Sequence, residues 1–129
     1  MTMNTFVVVL LVYGIFEICS NLFHFTRGSK IKIGESAKKQ HQELPLDVSP
    51  LRFFYKAIIM FAFGILFTLS SVIYLLNPAV GLLLVFYTAI LHVVYALIQL
   101  IVYRRCYKVW CSFVVYSLPL IVYWIIVTM

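Results

Sequence analysis

Four apolar stretches, Met3 to Phe25, Ala57 to Leu76, Ala79 to Tyr103 and Val109 to Met129, take up most of the chain. Each is close to the ~20 residues that cross ~30 Å of hydrocarbon when a helix rises ~1.5 Å per residue. Of the 129 residues, 64% are hydrophobic and 11% charged, and the mean hydropathy is +1.06. A water-soluble domain of this size cannot place so much apolar surface inside, so the surrounding solvent is expected to be mostly lipid. The expected fold is therefore an all-α integral membrane protein, an up-down antiparallel bundle of four transmembrane helices at about 3–25, 50–76, 78–104 and 108–128. A loop at about 26–49 separates the first two, and residues 1–129 form one transmembrane domain with no soluble catalytic module. The first stretch is read as a helix of the mature protein, because Met1 to Thr5 lacks a basic region and the apolar run is too long for a signal peptide.

The net charge of +6 would suit a nucleic-acid partner only if the cations formed one soluble surface. They do not. Arg27, Lys30, Lys32, Lys38, Lys39, Arg52 and Lys56 precede the second span, and Arg104, Arg105 and Lys108 precede the fourth, which accounts for all ten Lys and Arg. Both loops fall on one side of a four-helix topology, and the positive-inside bias assigns them to the cytoplasm, with both termini outside. The expected setting is a multi-pass protein of the plasma membrane, or of the inner membrane in a bacterium. Lys38, Lys39, Arg52, Arg104 and Arg105 are the candidate contacts to anionic headgroups, and no nucleic acid is expected. Cys19, Cys106 and Cys111 fall in the cytoplasmic half, where thiols stay reduced and pack as small apolar groups.

The long polar segment starts with a helix stop at Arg27 and Gly28 and ends with Ser49 and Pro50, an N-cap and first-turn pair. Between them, Ser36 to Leu44 reads as a short helix closed by Pro45 or as a solvated linker, with His41 a solvated loop histidine. Phe53, Phe54 and Tyr55 between Arg52 and Lys56 fit the headgroup level, where aromatic rings sit and cations snorkel. The turn Asn77-Pro78-Ala79 is short enough to force a hairpin, with Asn77 as cap. Asn-Pro-Ala also occurs in water channels, but a single copy in an outer turn reads as a cap. Pro119 lies inside the fourth span and frees the carbonyl of Val115. Gly64 alone is no small-residue interface motif.

A charge in hydrocarbon costs at least ~2.5–3.5 kcal/mol, which makes Glu17, the one acidic residue within a span, the first residue to explain. It lies roughly 15 Å inside the cytoplasmic boundary set by Arg27. Tyr13, Glu17, Asn21 and His24 share one face of the first span through spacings of four, four and three. Thr88, His92, Tyr95, Gln99 and Tyr103 form a second polar stripe on the third span. Turned towards each other, the stripes make an intramembrane seam of Glu17, Asn21, His24, His92, Tyr95 and Gln99. In that arrangement Glu17 is held by His92 or Tyr95, and Asn21 meets Gln99. Such a seam titrates protons, binds a small polar or cationic ligand, or simply fixes helix packing. A haem clamped by His24 and His92 is disfavoured by their depths of about 5 Å and about 18 Å, and no metal or cofactor is expected.

With four spans and an acidic residue in the first, the chain resembles the small multidrug resistance transporters, although its charge bias is far stronger than theirs. In length, span number and the short Asn-Pro turn it also resembles the MAPEG glutathione-handling enzymes. Their Arg, Asn and Glu motif around the second helix is absent near Arg52 and Lys56, so no catalytic residue carries over. The leading expectation is a non-catalytic protein, working in a homo-oligomer or with other membrane subunits, whose seam suits proton-coupled or cation transport. Two alternatives remain: an enzyme acting on a lipid or thiol at the cytoplasmic face through Asn21, Tyr95, Gln99 and Arg104, and an anchor subunit of a membrane redox complex.

Overall fold

A long apolar run has one way to satisfy its backbone in lipid, which is to bond every N–H to a carbonyl of its own segment. The computed structural model describes residues 1–45 and 47–129, and among these it is all-helical, with no strand. Its helices are α1 (Met3–Phe25), α2 (Lys30–Gln40), α3 (Pro50–Leu76), α4 (Pro78–Val102) and α5 (Tyr107–Thr128). Four of them, α1, α3, α4 and α5, are long and apolar enough to cross a membrane.

The helix ends follow from local side chains. Thr2 caps α1 by accepting from the Thr5 N–H at 3.3 Å, and Ser29 caps α2 by accepting from Lys32 at 3.4 Å. Asn77 ends α3 and caps α4, accepting from Val80 at 3.4 Å, with Pro78 in the first turn where its missing N–H costs nothing. Gly28, at φ 105°, takes the left-handed conformation that lets the chain leave α1 for α2. Trp110 donates its indole N–H to the Arg104 carbonyl at 2.9 Å and closes the turn between α4 and α5.

Helix α3 is the hub. It packs along α1, α2 and α4, while α5 lies mainly on α4 and touches α1 only lightly. Lipid tails are as apolar as leucine, so close packing rather than removal from water holds α1 on α3. Gly14 and Gly64 supply that closeness: a Cβ at Gly14 would lie 2.5 Å from Thr68 Oγ1 and 2.8 Å from the Gly64 carbonyl. Gly64, no interface motif by itself, thus works with a partner on another helix. Phe6, Leu10, Met60, Phe63, Phe67 and Val85 fill the space beyond the glycines.

Helix α2 begins six residues before the Ser36 start expected from sequence. Ile33 and Ala37, one turn apart, form its buried face. Gly34 sits so close to α3 that a Cβ there would overlap the Pro50 carbonyl. A second apolar cluster of Ala37, Leu44, Phe53, Ala57, Leu100 and Val109 binds α2 and the segment after it to α3, α4 and α5. The polar segment is therefore folded against the bundle.

A buried polar cluster as candidate functional site

Lys56 lies in the second turn of α3, in register with Phe53, Met60 and Phe63, which all face inward. Its side chain is only 2% exposed, so it points into the protein instead of snorkelling as the flanking aromatics suggested. A buried ammonium needs a counter-ion. The segment after α2 provides one: Lys56 Nζ lies 2.7 Å from Glu43 Oε1 and donates to Gln99 Oε1 at 3.2 Å. The Tyr116 hydroxyl donates to the same Glu43 oxygen at 3.0 Å, and His41 Nδ1 stands 3.7 Å away. The Tyr95 and Tyr116 rings, 5.7 and 5.5 Å from the ammonium, complete its surroundings. Burial pushes the Glu43 carboxyl up, but His41 and the Lys56 cation outweigh it and hold it well below its ordinary value. His41, expected to be solvated, is buried.

Glu17, on α1, is buried and faces the same charges, with Lys56, His41 and Glu43 all acting on its carboxylate. The hydrogen bond to that carboxylate comes from Asn21 Nδ2 at 3.1 Å, one turn away on the same helix. Neither His92 nor Tyr95 holds it, because α1 packs on α3 and makes no close backbone approach to α4. Gln99 accordingly meets Lys56 and donates to the Tyr95 hydroxyl at 2.8 Å, leaving Asn21 to Glu17.

The two stripes still touch once, where the Tyr13 hydroxyl stands 3.5 Å from His92 Nε2. His92 is otherwise enclosed by aromatic rings, with Phe63, Phe67 and Tyr116 centroids at 4.8, 5.3 and 4.7 Å. His24 turns away from the seam towards α2. Its Nδ1 pairs with Ser36 Oγ at 2.7 Å and its Nε2 with Gln40 Oε1, while Gln40 Nε2 donates to Ser20 Oγ at 3.2 Å.

The basic residues expected at the headgroups divide in the same way. Lys39, Arg104 and Arg105 are exposed. Arg52, also exposed, donates to the Tyr103 hydroxyl at 3.0 Å, and Lys38 lies 5.9 Å from the Phe53 ring. Arg104 therefore sits at an exposed turn, whereas Asn21 and Gln99 are buried.

No protein-family model matches the chain, and no curated protein or solved structure shows significant similarity to it. The chemistry of the cluster must speak for itself. It brings Glu17, Glu43, Lys56 and His41 together in a protein interior: two carboxylates, one ammonium and one imidazole. The ammonium is committed to Glu43. Glu17 is left with an amide, and it lines a cavity of about 430 Å³ between α1 and α5.

Proposed function

We propose that this chain is a small, non-catalytic, multi-pass membrane protein in which Glu17 exchanges a proton or small cation, serving proton-coupled or cation transport within an oligomer or larger membrane complex. The observation that carries this reading is the charge count around Glu17. Two carboxylates share one lysine and one imidazole, so the cluster as a whole is electrically balanced only when it holds a further proton or small cation. Perturbed, charge-coupled carboxylates inside a protein are also where proton chemistry concentrates.

Orientation follows from the basic residues. Arg104 and Arg105 line a shared cleft with Pro45 and Asp47, which supports both basic loops lying at one end of an up-down bundle. The positive-inside bias then sets that end in the cytoplasm, with the termini outside. Lys38, Lys39, Arg52, Arg104 and Arg105 there face anionic lipid headgroups. On this topology the Glu43–Lys56 pair stands between Glu17 and the cytoplasm, and a proton reaching Glu17 from that side passes His41 and Glu43.

The test is proton flux in proteoliposomes. With a pH gradient imposed and a pH-sensitive dye trapped inside, vesicles holding the parent chain should lose the gradient faster than vesicles holding Glu17→Gln. Equal rates for the two, both above empty vesicles, would remove Glu17 from the mechanism.

A further inference from the structure

The cavity between α1 and α5 has a chemistry that proton exchange does not use. Phe6 and Glu17 both line it, so it extends roughly 16 Å along α1 at about 1.5 Å per residue. Its walls are mostly apolar, with Val9, Leu10, Leu118 and Val122 among them, and its polar groups gather at one end. Three of these groups have hydrogen-bonding capacity to spare.

His92 is 1% exposed, and its Nδ1 has no hydrogen-bond partner; the nearby Tyr116 backbone approaches the ring without meeting hydrogen-bond geometry. A Tyr13 hydroxyl that donates to Nε2 leaves the proton of the neutral ring on Nδ1, which is then an unused donor. Val115, another lining residue, lies four positions before Pro119, so its carbonyl has no intrahelical N–H to accept. Glu17 adds a carboxyl that takes one amide from Asn21. A buried donor or acceptor left without a partner is costly, and a ligand reaching these atoms would relieve that cost.

We propose that the α1–α5 cavity binds a neutral, single-tailed lipid whose head carries carbonyl or hydroxyl oxygens, of the isoprenoid quinone type. One head oxygen accepts from His92 Nδ1. When the head is in the hydroxyl form, it donates to the Val115 carbonyl or to Glu17. The tail lies along Leu10, Val122 and Phe6. A free metal or hydrated ion would leave the long apolar wall unused, whereas a plain hydrocarbon would leave the polar end unsatisfied. The site adjoins Glu17 but does not depend on proton exchange there.

A short-chain azido-quinone, photolysed with the purified protein in nanodiscs and mapped by mass spectrometry, tests the assignment. Label should concentrate on cavity residues of α1 and α5, compete with decylubiquinone and resist decylbenzene, which has the tail without the oxygens. His92→Phe, which keeps an aromatic ring in the aromatic enclosure, should weaken competition about tenfold, the loss of one hydrogen bond. Val122→Trp should block labelling by filling the cavity while leaving His92 and Glu17 in place. Label spread over lipid-facing residues, competition by decylbenzene, or unchanged labelling in both variants would overturn the proposal. Loss of quinone labelling leaves the proton-flux difference between parent and Glu17→Gln to stand or fall separately.

Discussion

Lys56 and Glu43 show how much one buried charge decides. Removing either partner strands the other in the protein interior, an effect of about 3–5 kcal/mol, whereas removing both together is close to neutral. Lys56→Met or Glu43→Gln alone should therefore lower the denaturation midpoint in detergent strongly, and the double variant should recover most of the loss. Additive losses would mean that the two residues are not coupled. The same pair gives the fold an acid limit. Because the folded Glu43 pKa lies below its ordinary 4.5, its contribution is complete at neutral pH and is lost as the pH falls below that value. Thermal stability of the parent should drop in that window, and the double variant should lack that part of the drop. Lys56 was partly legible in the sequence, since its spacing from Phe53, Met60, Phe63 and Phe67 puts it on the core stripe of α3. That register outweighs the neighbouring aromatics, which point to the headgroups. Glu43 and His41 left no comparable signal, because nothing periodic distinguishes a segment that folds inward from one that stays in water.

Among the helices, α3 is held to both α1 and α4 by close glycine contacts, at Gly14 and Gly64 on one side and at Gly81 against Tyr74 on the other, and by polar pairs. Ser70 Oγ lies 3.3 Å from Thr88 Oγ1 across the α3–α4 interface, and Tyr74 donates to Asn4 Oδ1 at 2.8 Å where α1 begins. Each such bond adds only ~0.6–2 kcal/mol in a membrane, so contact distance matters more. Gly14→Val should force α1 off α3, at a cost of about 1–3 kcal/mol or more from overpacking. A substitution at Val12, 63% exposed on the opposite side of α1, should leave the unfolding midpoint unchanged. Comparable effects at the two positions would mean that α1 does not rest on Gly64. The extents of the four long helices were readable from apolar runs, caps and prolines because those signals are local. Which helix α1 packs against was not. Two polar stripes facing each other is the economical guess, yet small residues on α1 and α3 permit a closer approach than side chains on α4 would.

For the protein as a unit, the segment 41–45 is what turns a hydrophobic bundle into a charged interior. Irregular backbone among membrane helices persists only where protein surrounds it, and Leu44, buried with Phe53, Leu100 and Val109, supplies that shelter. Glu43 then pairs with Lys56, and Glu17 takes its hydrogen bond from the Asn21 amide. Every Lys and Arg falls between the first and second or the third and fourth apolar runs, but that pattern could not reveal that one of the ten, Lys56, is drawn inside. Infrared difference spectra of the purified protein, recorded as pH is lowered in steps, test this arrangement most directly. A carboxylic-acid C=O band should grow on acidification, disappear in Glu17→Gln and remain in Glu43→Gln; identical spectra for the parent and Glu17→Gln would contradict this arrangement.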